Sequence, residues 1–150
     1  MKIVIGSDHA GLEMKREISS NLLKQGYEVI DCGTYSADSV DYPDIAEQVT
    51  CEVIKQKIPG ILICGTGIGI SIAANKIHGI RAALCTNEYT ARLARQHNDA
   101  NILALGSRVT AVSYALEIVT AFLKTDFEAG RHNKRVEKIG ILENRYNERS

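Results

Sequence analysis

Residues 60–75 read GILICGTGIGISIAAN, and the order of residue types in that stretch decides the fold class. Ile61, Leu62 and Ile63 make a short apolar run without polar alternation, the pattern of a strand covered on both faces in a parallel sheet. Cys64 ends the run. Gly65, Gly67 and Gly69 then alternate with Thr66 and Ile68, and Ser71, Ile72, Ala73 and Ala74 supply small residues for a helix start. Glycine permits tight dihedrals and close approach of a ligand to the backbone, and the following helix directs its unpaired N–H groups and positive dipole end at the same place. The turn is therefore expected to bind or create negative charge. A cysteine beside a helix N-terminus has its thiolate form favoured, so Cys64 is a candidate nucleophile or base.

On either side of this stretch, apolar runs alternate with helical periodicity, which predicts an α/β fold: a three-layer αβα, Rossmann-like arrangement around a five-stranded parallel sheet. Strands are expected over residues 2–6, 27–31, 61–63, 80–85 and 102–105. The first helix carries Met14, Ile18 and Leu22 at spacing four and stops at Gly26. The second starts near Pro43 and buries Ile45, Val49 and Val53. A helix over residues 87–96 takes Thr86 as its N-cap, and residues 97–101 read as a polar turn into the fifth strand. A helix over residues 110–124 turns Ala111, Ala115, Ile118 and Phe122 inward. The polar connection over residues 33–42 is long for such a fold, so it is expected to help line a site.

The last stretch, residues 126–150, has a basic entry at residues 130–135 and then a helix with Val136, Ile139, Leu142 and Tyr146 along one side. The five-stranded sheet is already covered before this helix arrives. Its apolar stripe is therefore expected to meet a second subunit, which makes the protein a homodimer, with a dimer of dimers also compatible.

Composition narrows the function. The 150 residues suit one domain spanning residues 1–150, with 45% hydrophobic content. Eighteen basic residues balance eighteen acidic ones, and the pI is about 6.9, which gives no reason to expect nucleic acid or an anionic membrane as partner. The chain opens directly into a strand, without a basic and apolar leader or an apolar run of about 18 residues, so a cytoplasmic protein is expected. Cys32, Cys51, Cys64 and Cys85 are widely separated and form no C-x-x-C pair, so free thiols are expected, with Cys32, Cys51 and Cys85 structural.

In open parallel sheets the ligand sits beyond the carboxyl ends of the strands. Asp8 and His9 follow the first strand, Cys64 and Thr66 the third, and Arg108 the fifth. His97 and Asn98 precede the fifth strand and so lie at the opposite edge of the sheet. They can serve the cleft only if a dimer brings them to a neighbour's site.

Six boxes in this chain share one pattern: KIVIGSDHAG at residues 2–11, DYPD at 41–44, ICGTGIGISIAANK at 63–76, RQHNDAN at 95–101, LGSR at 105–108 and GRHNKRV at 130–136. Together they resemble the B-type ribose-5-phosphate isomerases, the family that also contains galactose-6-phosphate and allose-6-phosphate isomerases. The resemblance implies an aldose–ketose isomerase of the pentose phosphate pathway that interconverts ribose 5-phosphate and ribulose 5-phosphate through an enediolate. It implies neither metal nor organic cofactor, and active sites shared between two subunits. Residue by residue, it makes Cys64 the base that moves a proton between C2 and C1, with Thr66 and the backbone from Gly65 through Gly67 and Ile68 to Gly69 as the anion hole. It gives His97 the ring-opening role from the other subunit, with Asp8 and Asn98 assisting at the sugar hydroxyls. His9, Arg108, Arg131 and Arg135 would hold the phosphate, the last two across the interface, and Tyr42 would contact substrate.

Taken singly, these residues have plainer readings. A cysteine at a strand end is more often a small buried hydrophobe than a base, His97 more often a surface or capping histidine, and Arg131 with Arg135 more often a solvated basic face. A nucleotide-binding module is the main rival from another class. Against it, the glycines are spaced G-x-G-x-G rather than G-x-G-x-x-G, they follow the third strand rather than the first, and no Walker lysine or ribose-binding carboxylate follows. A sugar-phosphate binder that has lost catalysis is a second rival; the presence of Cys64, Thr66, His97 and both arginines weighs against it. The sugar itself stays open between ribose 5-phosphate and the six-carbon allose 6-phosphate or galactose 6-phosphate.

Overall fold

The computed structural model describes residues 1–147. Five strands, β1 (Lys2–Ser7), β2 (Glu28–Asp31), β3 (Gly60–Cys64), β4 (Ala82–Leu84) and β5 (Ile102–Gly106), form one sheet in the order β2-β1-β3-β5-β4. Every pairing is parallel. Six helices connect and flank them: α1 (Leu12–Lys24), α2 (Tyr42–Gln56), α3 (Ile68–Ala74), α4 (Glu88–Asn98), α5 (Val112–Leu123) and α6 (Asn133–Asn147). The last three residues of the expected C-terminal arm, 148–150, lie outside the described residues.

Side chains alternate across the sheet, and both faces are apolar. Ile3, Ile5, Ile61, Ile63, Leu103 and Leu105 face the layer of α1, α4 and α5, where Ile18, Ala91, Ile118 and Phe122 close over them. Val4, Leu62, Ile102 and Ala104 face α2 and α3, against Ile45, Val49, Val53 and Ile70. Burying each such side chain contributes about 1.5–3 kcal/mol, which is why the central strands read as unbroken apolar runs. Cys64 falls on the α2–α3 side by this alternation, so its sulfur lies under the loop that follows it.

Several boundaries differ from the sequence expectation. Asn87 rather than Thr86 caps α4, its Oδ1 accepting from the Thr90 N–H at 2.8 Å. The helix then runs on to Asn98, so His97 and Asn98 occupy its last turn instead of a polar turn, and Asp99 ends it in the left-handed conformation at φ 47°. α3 begins at Ile68, which takes Gly69 into a helix rather than a loop. β4 is three residues long and α5 starts at Val112 behind Ala111. Among the described residues no helix is long and apolar enough to cross a membrane.

Candidate active site

The chain leaves β1 toward β2 on one side, while β3 lies on the other, so the loops after β1 and β3 separate at a switch point where a cleft can open. Three loops meet there. The Asp8 N–H donates to Ile63 O at 3.2 Å, the Ser107 N–H to Cys64 O at 2.9 Å and the Arg108 N–H to Gly65 O at 2.9 Å. Ser107 Oγ closes the ring by donating to Ala10 O at 2.8 Å. Because β5 is inserted beside β3, Arg108 arrives next to the glycine turn, a neighbour relation that strand count alone does not give.

At the centre, Cys64 is 5% exposed and its Sγ accepts from the Gly67 N–H at 3.1 Å. Gly67 can aim that donor because it sits at φ 79°, a conformation that costs other residues strain. Thr66 is exposed, and its Oγ1 accepts from the Ile68 N–H at 3.2 Å. The Gly67 and Ile68 donors are therefore occupied inside the loop. Those of Gly69 and Ile70, in the first turn of α3, have no acceptor among the described residues and are open to an oxyanion.

The flanking glycines work by absence of a side chain. A Cβ on Gly65 would sit 3.0 Å from Arg108 Nη1, and one on Gly69 would sit 2.6 Å from the Tyr42 ring. The Arg108 guanidinium and the Tyr42 ring thus lie on either side of the sulfur's loop. Asp8 is 6% exposed and commits Oδ1 to the Gly11 N–H at 3.1 Å. His9 Nδ1 accepts from the Val40 N–H at 3.2 Å, which ties down the connection after β2. That connection therefore packs against the loop after β1.

Lys15 is a supporting residue that sequence reading missed. Its buried Nζ donates to Asp31 Oδ1 at 2.7 Å and Thr34 O at 2.5 Å, and lies 4.8 Å from the Tyr35 ring centroid. One signal was present: Lys15 stands three and seven residues before Ile18 and Leu22, on the buried face of α1.

The other expected site residues stand apart. Gly60 pairs with Ile102 and Cys64 with Gly106, so the end of α4 lies beside the amino ends of the strands. At about 3.3 Å per residue, that is roughly 13 Å along the sheet from Cys64. His97 stacks there on His132, with ring centroids 4.2 Å apart and 14° between planes. Asn98 is exposed and its carbonyl accepts from Arg81 Nε at 3.0 Å. Arg131 and Arg135 are exposed and straddle the junction between the 3-10 turn Gly130–His132 and α6, not one regular helix. Neither they nor Arg108 pair with a carboxylate among the described residues.

Ligand atoms of His97, Glu128 and His132 come within 4.8 Å of one another. Nearly parallel rings aim their lone pairs side by side, so they do not converge on a metal at the roughly 2 Å that imidazole ligation requires. A broad groove at the same end, lined by Pro59, Arg81, Arg95, Asp99 and Phe122, commits both arginines to Asp99. The four cysteines are free, as expected; Cys51 is exposed, which gives it no packing role of the kind foreseen.

Fold and site together define an α/β enzyme with a cysteine under a glycine turn at the switch point of a parallel sheet. The chain belongs to the ribose/galactose isomerase family, whose profile matches residues 3–139. It is 52% identical over 147 residues to "Ribose-5-phosphate isomerase B" of Escherichia coli, covering 97% of this chain and 99% of that one. A solved structure of ribose-5-phosphate isomerase B from Clostridium thermocellum superimposes with a TM-score of 0.96 at 59% identity, over 97% of this chain and 99% of that one. The Mycoplasma genitalium enzyme, solved with bound ribulose 5-phosphate, gives a TM-score of 0.91 at 46% identity, over 99% and 97% of the two chains.

Proposed function

We propose that this protein interconverts ribose 5-phosphate and ribulose 5-phosphate through an enediolate, in the cytoplasm and as a homodimer with shared sites. The observation that carries the reading is the Cys64 sulfur, held 3.1 Å from the Gly67 N–H beside the open donors of α3. In the open-chain aldose, the Cys64 thiolate removes the proton from C2 and the electron pair moves onto the C1 carbonyl oxygen. The thiol returns that proton to C1 while the C2 hydroxyl proton passes to the C1 oxygen, leaving the ketose. The open Gly69 and Ile70 N–H groups, with Thr66, hold the enediolate charge. One such donor is typically worth about 3–4 kcal/mol of barrier, and a positioned general base contributes roughly a hundredfold to ten-thousandfold.

Binding divides by subunit in this reading. His9, Arg108 and Tyr42 approach from the subunit that supplies Cys64, with Asp8 at the sugar hydroxyls. His97, Asn98, Arg131 and Arg135 come from the second subunit, since within one chain they lie at the far end of the sheet. Two guanidinium groups without carboxylate partners suit a phosphate dianion. The 53% and 57% exposure of Ile68 and Ile72, on the helix that opens the site, supports a partner surface at the cleft itself.

Washing deuterium into C2 of ribose 5-phosphate tests the reaction. Wild-type protein should incorporate the label, and Cys64→Ala should lower incorporation by at least about a hundredfold while still binding the sugar phosphate in calorimetry. A Cys64→Ala variant with near-normal exchange removes the thiol from the mechanism. Measuring kcat/KM for ribose 5-phosphate, allose 6-phosphate and galactose 6-phosphate identifies the preferred sugar, with the pentose expected to lead.

A further inference from the structure

The histidine assigned to ring opening makes no hydrogen bond to any described residue, yet its ring is not loose. His97 lies flat against His132, 4.2 Å between centroids and 14° between planes. Only His132 of the pair is fully buried, at 4% exposure, and its Nε2 stands 3.6 Å from Glu128 Oε2. The segment that carries it is sewn to the end of α4. Arg95 Nε donates to Thr125 O at 3.2 Å, and the Glu128 N–H donates to Gln96 O, the residue before His97, at 3.1 Å. The His132 N–H closes the turn on Ala129 O at 3.0 Å. Ala129 holds φ 58°, a conformation that costs a non-glycine residue about 1–3 kcal/mol and persists only where surrounding contacts enforce it.

We propose that His132 is the positioning residue for His97, setting the plane of its ring by stacking while Glu128 anchors His132 itself. The inference rests on the isomerase reading above. Its chemical sense lies in what ring opening demands. The C1 hydroxyl loses a proton, the bond from C1 to the ring oxygen breaks, the C1 carbonyl forms, and the ring oxygen gains a proton. No electrons leave or enter the pair of reactants. One imidazole can take the first proton and give the second through a single nitrogen, or divide the two transfers between its nitrogens when neither is spent on an orienting hydrogen bond. A carboxylate on Nδ1 would orient the ring but occupy one of them. Contact through the ring face orients it and leaves both nitrogens without a hydrogen-bond partner among the described residues. The carboxylate of Glu128 is accordingly one residue removed, on His132 rather than on His97.

Ring-closed and open-chain substrates separate this role from a structural one. Ribulose 5-phosphate carries its phosphate on the oxygen that would close a furanose, so it reaches the enediolate without ring opening. His132→Ala should lower kcat on ribose 5-phosphate by about 10- to 100-fold, the scale of a misplaced catalytic group. The same variant should keep proton exchange at C1 of ribulose 5-phosphate, in deuterated water, within about twofold of wild type. His132→Phe keeps a flat ring at the same place and should recover most of the lost turnover. Glu128→Gln should shift the ratio of the two rates in the same direction as His132→Ala, by less. Equal loss of both rates in folded His132→Ala and Glu128→Gln, no loss in either, or failure of folded His132→Phe to recover turnover overturns the positioning role. Wild-type protein without C1 exchange would instead sink the isomerase reading, so the two failures are distinguishable.

Discussion

The glycines after β3 serve different ends, and each can be tested by adding a single methyl group. Of Gly65, Gly67 and Gly69, Gly67 has the positive φ, and a Cβ there would come within 2.5 Å of Leu84 Cδ1 and 2.9 Å of the Leu105 carbonyl carbon. Gly67→Ala should destabilise the fold by about 1–3 kcal/mol in urea titration and reduce turnover, because the same residue aims its N–H at Cys64. Full stability with full activity would show that the turn does not need that conformation. His132 gives a prediction in pH. Burial first, then the neighbouring His97 and Arg131, holds its imidazole below the ordinary histidine range. The unfolded chain then binds more protons, so this contribution to stability is fully present above the unfolded value of about 6.5 and is lost as pH falls below it through the lower folded value. His132→Phe should flatten the fall relative to wild type in parallel denaturant titrations; identical pH profiles would contradict it.

Among the elements, α6 has the least support within its own chain: none of its residues is buried, and Leu142 and Tyr146 are 52% and 58% exposed. Glu143 accepts the Gly79 N–H at 3.0 Å and lies 3.5 Å from His78, which ties the middle of the helix to the turn before β4. Its apolar stripe fits a second copy of the chain. Leu142→Asp should reduce the mass seen in light scattering from twice 16.4 kDa toward that of one chain, with loss of activity; an unchanged mass would take α6 out of the interface. The stripe was readable beforehand because Ile139, Leu142 and Tyr146 recur at helical spacing where no sheet surface remained to cover. The central strands were equally readable, since two-sided burial leaves no polar residue inside them. What escaped depended on contacts remote in sequence. Asn87 displaced Thr86 as cap by reaching the Thr90 N–H, and α4 absorbed His97 because Asp99 could take the left-handed turn that ends it. Lys15 escaped because a charged residue on a buried helix face looks like an exception until Asp31 and Thr34 are seen to surround its ammonium.

At the scale of the whole molecule, the proposed reading gives each chain two half-sites on opposite ends of one sheet. The carboxyl ends of β1, β3 and β5 gather Asp8, Cys64 and Arg108; the amino ends gather His97, Arg131 and Arg135. A rigid parallel sheet keeps them apart within the chain, so a shared site requires that two chains meet with opposite ends in register. Isologous pairing does this twice over, giving two sites per dimer. The sequence order alone could place His97 before β5, but only the pairing of Gly60 with Ile102 shows how far that is from the sulfur. Mixing the separately inactive Cys64→Ala and His97→Ala proteins under conditions of subunit exchange tests this division most directly. Half of the dimers become hybrids with one intact site each, so about a quarter of wild-type activity should return. No recovery, with hybrids demonstrated by mass spectrometry, would contradict a site built from Cys64 of one subunit and His97 of the other.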